Sequence, residues 1–195
     1  MVRLVGDGVV VELAPESGGA VARYDVDLAG EWRPVLLAST DSGRAGPFAL
    51  ASNVLAPWSN RISGGGFSYG GQFHALEPNI AGEPYPNHGN AFASAWDVAG
   101  ASESQAVFTL HSDGPGPFRY DARLTYALDG AALRMSLSLT NRAAIVAARP
   151  CSGQSMRAAP LHPVHALLSQ RCGRRGDAAK SQSGWAAVSS QRSGR

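Results

Sequence analysis

Hydrophobic and polar residues alternate along much of the first 142 positions of the chain. The clearest case is Ala132–Thr140, in which leucine or methionine stands at the odd positions and arginine or serine at the even positions between them. Successive side chains of a strand point to opposite faces of its sheet, so this pattern predicts a half-buried strand. The same reasoning predicts strands over Val9–Leu13, Val21–Val26, Arg33–Leu37, Gln105–His111, Phe118–Ala127 and Ala132–Thr140.

Turn-forming residues separate these segments. Asp129-Gly130 lies between the last two strands and is a signal for a two-residue hairpin, because both residue types tolerate positive φ. A further hairpin is predicted where Phe67–Tyr69 turns at Gly70-Gly71 into Gln72–His74. No stretch before residue 142 has a convincing apolar stripe of helical period. The sequence therefore predicts an all-β fold, an antiparallel β-sandwich.

The alternating pattern ends between residues 142 and 150. All six phenylalanines and all five tyrosines precede residue 127. Residues 151–195 carry seven basic residues and one acidic residue, scattered among serine, alanine, glutamine and glycine. Such a composition is typical of segments that bury too little apolar surface to offset their ordering entropy. We expect a domain over residues 1–142 and a basic tail over residues 143–195 that is disordered or out of frame.

Composition narrows the functional class. A chain of 195 residues, 44% of them hydrophobic, suits one globular domain. It contains no long apolar run and no basic segment followed by an apolar one at the N-terminus, so a cytoplasmic protein without a membrane span is expected. Cys151 and Cys172 lack metal-site spacing and are expected to be unpaired thiols. The glycines at 64–71 match no phosphate-binding motif, and the basic tail has no charge run, so neither nucleotide nor nucleic acid is an expected partner.

Polar residues suited to binding a sugar lie in two loops. Arg61 presents five N–H donors, and Asn60 supplies a donor and an acceptor, a combination that suits vicinal hydroxyls. His88 lies in a loop stiffened by prolines, beside Gly89, where a preorganised polar group is reasonable. The alternative is structural: Arg61 ties its loop to a carboxylate, Asn60 caps a turn, and His88 bonds to backbone or water. Both interpretations are open on spacing alone.

The order of the motifs resembles the aldose 1-epimerase (galactose mutarotase) family over roughly residues 1–142. The motifs are Pro57-Trp58-Ser59-Asn60-Arg61-Ile62, Gly66-Phe67 with its hairpin, Asn79, Pro86-Asn87-His88-Gly89, Trp96-Asp97-Val98 and Leu139-Thr140-Asn141-Arg142. The resemblance implies a mutarotase-like supersandwich, C-terminally truncated in this chain. It also implies a monosaccharide partner on the concave face, with no metal or organic cofactor. Trp58 and Tyr85 are candidates to cover the apolar face of the sugar ring.

The activity implied by the resemblance is the interconversion of the α and β anomers of a hexose such as galactose or glucose. A base removes the anomeric hydroxyl proton while an acid protonates the ring oxygen. In the family, residues matching Arg61 and His88 hold the sugar and Asn60 lies beside that arginine. The substrate-binding candidates are thus Asn60, Arg61 and His88, and His88 is also the catalytic candidate.

The chain departs from the family pattern after residue 142. The family's acid is a second histidine in a Gly-x-His-Pro-aromatic motif, but His162-Pro163 lacks the flanking glycine and aromatic residue. The family's base is a C-terminal glutamate, and residues 143–195 contain no glutamate. Codons for Arg157–Leu161, read one base later, can spell the missing motif, so we hypothesise a frame shift between Arg142 and Arg157.

These departures leave three functional hypotheses. The first is an aldose 1-epimerase-like enzyme with impaired catalysis. The second is a non-catalytic carbohydrate-binding β-sandwich. The third is a sugar-phosphate 1-epimerase relative, which would need further basic residues around the pocket, with Arg44 as a candidate.

Overall fold

The computed structural model of the chain describes residues 1–38 and 46–143, together with the backbone of 154–158 and 167–170. These residues form twelve strands and three short 3₁₀ helices. The strands are β1 (Val2–Gly6), β2 (Val9–Ala14), β3 (Ala20–Leu28), β4 (Glu31–Leu37), β5 (Gly66–Tyr69), β6 (Gln72–Ala75), β7 (Asp97–Ala101), β8 (Gln105–Ser112), β9 (Tyr120–Asp129), β10 (Ala132–Asn141), β11 (Gln154–Ala158) and β12 (Leu167–Gln170). The helices are Gly46–Ala49, Ser63–Gly65 and Ala91–Ala93. None of the helices in this described part is long and apolar enough to cross a membrane.

The strands form two main sheets and one hairpin, all with antiparallel neighbours. The first sheet has the order β1-β2-β3-β4, the second has the order β12-β11-β10-β9-β8-β7, and β5 pairs with β6. The prediction of an all-β antiparallel fold is confirmed, and each of the six predicted strands and the glycine hairpin is present. The hairpin between β9 and β10 is present, but its two-residue turn lies one position later than predicted: Asp129 ends β9 opposite Ala132, and Gly130-Ala131 make the connection. Gly130 has the positive φ, +59°, that this tight turn requires.

The alternation of apolar residues does not reveal β1 and β7. Leu4 is the one fully buried residue of β1, and every residue of β7 is exposed. A strand without a buried face has no reason to alternate, so its sequence carries no period-two signal. β7 is a strand because it pairs with β8, at the edge of the second sheet.

The inward faces of the two sheets form the core. Large side chains from both sheets are almost completely buried, and Trp96, just before β7, is 4% exposed. Hydroxyl groups also join the layers: Tyr126 donates to the Gly19 carbonyl at 2.7 Å, and Tyr24 donates to the Ala131 carbonyl. Fully or nearly fully buried members of this core include Leu4, Val9, Val11, Leu13, Phe108, Leu124, Leu133, Met135 and Leu137.

The predicted tail falls mostly outside the described residues. Backbone is described for β11 and β12, which extend the second sheet beyond β10. The sequence pattern predicts neither strand. The division into a domain over 1–142 and a tail over 143–195 stays a prediction, and Cys151, Cys172 and His162 lie outside the described residues.

Candidate functional site

Two loops separated in sequence lie side by side. We call Pro57–Ile62 the arginine loop and Pro86–Gly89 the histidine loop. The structure brings these loops into direct backbone contact. The contacts are Ile62 N–H to the Pro86 carbonyl at 3.0 Å, His88 N–H to the Asn60 carbonyl at 3.1 Å, and an antiparallel bridge between Arg61 and Asn87. The three candidate residues are thereby held on adjoining backbone.

Gly89 allows the histidine loop to pack closely against Ala56, the residue that precedes the arginine loop. Its φ is +68°, and a Cβ at this position would lie 2.0 Å from the carbonyl oxygen of Ala56. That oxygen also accepts hydrogen bonds from the N–H groups of Asn90 at 3.0 Å and Ala91 at 3.1 Å. Only glycine permits both the backbone angle and this close approach. His88 itself also has a positive φ, of +64°.

The Asn79 side chain fixes the backbone on both sides of His88. Its Nδ2 donates to the carbonyl oxygens of Asn87 at 2.8 Å and Gly89 at 2.6 Å, and its Oδ1 accepts from the Asn87 N–H at 2.7 Å. One side-chain amide therefore makes the backbone hydrogen bonds that a neighbouring strand would otherwise make to this loop. Asn79 belongs to the family-like motif set in the sequence, but its role becomes visible only in three dimensions.

The His88 ring is held as a neutral imidazole with a defined tautomer. The Asn60 N–H donates to His88 Nδ1 at 2.9 Å, so Nδ1 is an acceptor and the proton of the neutral ring is on Nε2. Burial lowers the pKa of His88 below its usual 6.5, the Arg61 charge lowers it further, and Glu83 partly opposes both. The ring stands edge-on to Phe92, with centroids 6.5 Å apart. Near pH 7 it offers an N–H donor.

Arg61 forms a two-pronged ion pair with Glu83. Its Nε lies 2.7 Å from Oε2, and its Nη2 lies 2.6 Å from Oε1. The guanidinium lowers the pKa of Glu83, and the carboxylate raises the pKa of Arg61. The Asn60 Oδ1 accepts from the Arg61 N–H at 2.8 Å, at a bend in the chain. Both contacts are those expected from the structural alternative, yet the pair uses only two of the five N–H donors of Arg61.

The two aromatic candidates have different environments. Trp58 packs against Phe118, with ring centroids 5.0 Å apart, and its buried Nε1 has no hydrogen-bond partner among the described residues. Tyr85 is 39% exposed. The structure therefore places Trp58 against the core and leaves Tyr85 as the aromatic ring at the surface of the loops.

A separate polar depression of about 410 Å³ lies on the outward face of the second sheet. His111 Nδ1 lies 2.8 Å from Asp121 Oδ1, and Arg142 pairs with both Asp121 and Asp113. Its lining includes no residue of the arginine or histidine loop. Across the described part of the chain, no group of three or more His, Cys, Asp or Glu is arranged to hold a metal ion.

Comparisons with known proteins agree with the fold and with the order of the motifs. The uncharacterized protein YphB of Escherichia coli strain K12 is 27% identical over 118 residues, which make up 59% of this chain and 40% of YphB. A crystal structure from Escherichia coli K12, provisionally named an aldose 1-epimerase, has a TM-score of 0.65 and 21% identity, and covers 83% of this chain and 52% of that one. A GalM/aldose epimerase homologue from C. elegans has a TM-score of 0.57 and 19% identity, with coverages of 87% and 50%.

These relatives confirm the galactose mutarotase-like fold that the sequence predicts. The chain spans about half the length of the relatives that it matches. The family model of aldose 1-epimerase matches residues 4–148, a region that begins within β1, extends past the end of β10 and contains both loops. By this match, the chain belongs to the aldose 1-epimerase family.

Proposed function

We propose that this chain carries the sugar-orienting part of an aldose 1-epimerase site and binds a hexose such as galactose or glucose. The observation that carries the proposal is the union of the arginine and histidine loops, which places Asn60, Arg61 and His88 on adjoining backbone. Preorganised polar groups lose little entropy when a ligand arrives, so their rigid support favours binding.

Each group has a defined part in holding the sugar. The neutral His88 donates from Nε2 to a sugar oxygen, because its Nδ1 already accepts from Asn60. Arg61 retains three N–H donors beyond its pair with Glu83. These donors suit vicinal hydroxyls of the sugar as acceptors. Tyr85 supplies an exposed ring for the apolar face of the sugar.

Anomer interconversion needs more than orientation. A base must take the proton of the anomeric hydroxyl while an acid protonates the ring oxygen, and each such group typically contributes ~10² to 10⁴-fold. A single imidazole cannot serve both ends of the hemiacetal, and the acceptor nitrogen of His88 is occupied by a backbone amide. Since residues 143–195 contain no glutamate, we expect slow mutarotation by this chain.

The same observation favours a second candidate, a non-catalytic sugar-binding β-sandwich. It shares the site and differs only in turnover, so binding and rate must be measured separately. Arg44, the residue considered for a sugar-phosphate epimerase, lies outside the described residues.

The test compares Arg61→Gln with Arg134→Gln in the full chain. Each substitution removes one half-exposed arginine that pairs with a carboxylate, but Arg134 pairs with Asp129 away from the two loops. Each variant is titrated with galactose or glucose, and binding is monitored through the NMR signals of the His88 ring. Binding should be weaker only for Arg61→Gln. Equal binding by both variants would refute the site.

Polarimetry then separates enzyme from binding module. Freshly dissolved α-galactose is followed with and without the purified protein. Binding without acceleration supports the non-catalytic candidate. Equilibration at the rate of a complete epimerase would show that this chain contains a base outside the proposed set.

A further inference from the structure

The carboxylate of Glu83 occupies one of the two edges through which the Arg61 guanidinium can bind an anion. A guanidinium binds phosphate or carboxylate through two parallel N–H···O bonds, and Glu83 already makes both at 2.7 and 2.6 Å. The Glu83 side chain is 26% exposed and that of Arg61 is 49% exposed, so the pair lies at a surface that a ligand can reach.

We propose that Glu83 is a specificity residue that makes the site selective for uncharged sugars over phosphorylated or acidic ones. This inference rests on the proposed function, because it assumes that a sugar is the ligand of the arginine and histidine loops.

The charges of the site support this selectivity. Arg61 is positive, Glu83 is negative and His88 is neutral near pH 7, so these three groups together carry no net charge. A phosphate group with nearly two negative charges meets the like charge of Glu83 whether it approaches the edge of Arg61 that Glu83 occupies or the remaining N–H donors beside it. Arg61 also lowers the pKa of Glu83, which keeps the carboxylate ionised through the neutral range.

A neutral sugar gains from the same pair. A hydroxyl group is both donor and acceptor, so it can accept from a remaining N–H of Arg61 and donate to an oxygen of Glu83. Both bonds would be charge-assisted, which makes them stronger than bonds between neutral groups. The ion pair therefore presents a surface matched to hydroxyls and mismatched to phosphate.

The backbone holds Glu83 in place before any ligand binds. Its N–H donates to the Ile80 carbonyl at 3.1 Å, closing a turn. Pro84 and Pro86 follow and restrict the chain up to the histidine loop. The backbone that carries Glu83 is therefore restricted before any ligand binds. Its carboxylate is held near Arg61 at a lower entropic cost than on a flexible loop.

The experiment uses Glu83→Gln in the full 195-residue chain. Gln keeps the size and one acceptor oxygen but removes the charge. The matched control is Glu77→Gln, which changes the net charge equally at an exposed glutamate of the same connecting segment. The probes are galactose, galactose 6-phosphate and inorganic phosphate, and binding is read from the Arg61 Nε–H and His88 ring signals in NMR titrations.

For Glu83→Gln we expect affinity for galactose 6-phosphate and inorganic phosphate to rise by roughly tenfold or more, since one like charge is removed beside the guanidinium. Affinity for galactose should fall, because its hydroxyl loses the charge-assisted bond to the Glu83 carboxylate. Glu77→Gln should match the wild type for all three probes. The inference is overturned if the wild type binds galactose 6-phosphate as tightly as galactose, a comparison that needs no variant.

The arms also separate this inference from the proposed function. If Glu83→Gln gains phosphate at Arg61 while no form of the protein binds galactose, the sugar proposal is wrong and the anion-excluding role of Glu83 stands. If galactose binds the wild type but Glu83→Gln gains no phosphate, the sugar proposal stands and the role of Glu83 is refuted.

Discussion

Substituting Gly89 by alanine tests how the histidine loop is seated, and Gly82 provides the matched control. Both glycines have left-handed backbone, with φ of +68° and +81°. A Cβ at Gly82 meets nothing within 4 Å, whereas a Cβ at Gly89 would lie 2.0 Å from the Ala56 oxygen and 2.6 Å from Pro57 Cδ. The two substitutions thus share the backbone penalty and differ in the steric conflict.

The expected magnitudes follow from these contacts. Alanine in left-handed conformation costs about 1–2 kcal/mol, which is the whole expected effect of Gly82→Ala. At Gly89 the backbone must also move away from Ala56, which weakens the bonds from the Asn90 and Ala91 N–H groups to the Ala56 carbonyl. Each such bond contributes about 1 kcal/mol, so Gly89→Ala should lower the free energy of unfolding by roughly 3–4 kcal/mol.

Urea unfolding followed by tryptophan fluorescence measures both values. An NMR comparison of the folded variants then asks whether the His88 ring has moved, which we expect for Gly89→Ala alone. If both substitutions lower the free energy of unfolding equally, the close approach of Gly89 to Ala56 is not part of the folded protein and the geometry of the site is wrong.

Three further substitutions or titrations test the site and its support. Asn79→Ala removes three hydrogen bonds to the histidine loop and should lower the free energy of unfolding by about 2–3 kcal/mol, while weakening galactose binding in the same NMR titration; unchanged binding would contradict its positioning role. The pKa of His88, followed by NMR, should lie below 6.5 and should rise in Arg61→Gln, because a neighbouring positive charge is removed; a fall would contradict the assigned coupling. The unfolded state binds the His88 proton first as pH falls, so this residue's contribution to stability is complete above pH 6.5 and declines below it. Tyr126→Phe leaves the buried Gly19 carbonyl without its donor and should destabilise the fold by about 1–3 kcal/mol with no change in galactose affinity; a large loss of affinity would couple the core to the site in a way that the contacts do not support.

Most of the fold could be predicted from the sequence because its signals are local. Side chains alternate in β10 because one face of that strand is buried, and the chain turns after Asp129 because Gly130 accepts positive φ. These preferences act over a few residues and are readable without knowing what lies opposite. The family-like motifs likewise identify Asn60, Arg61 and His88 as site candidates by their order alone.

Only the tertiary structure decided how those candidates are arranged. Arg61 and Glu83 are 22 residues apart, and Asn79 reaches the carbonyl of Gly89 across ten residues. Nothing in the local pattern near Glu83 identifies its partner, and β7 has no buried face to mark it as a strand. Pairing between distant segments depends on where the sheets bring the loops together, and that is a property of the packed chain rather than of any short segment. The residue types near the site follow from the sequence, whereas the tautomer of His88, the occupied fork of Arg61 and the close approach of Gly89 follow from packing.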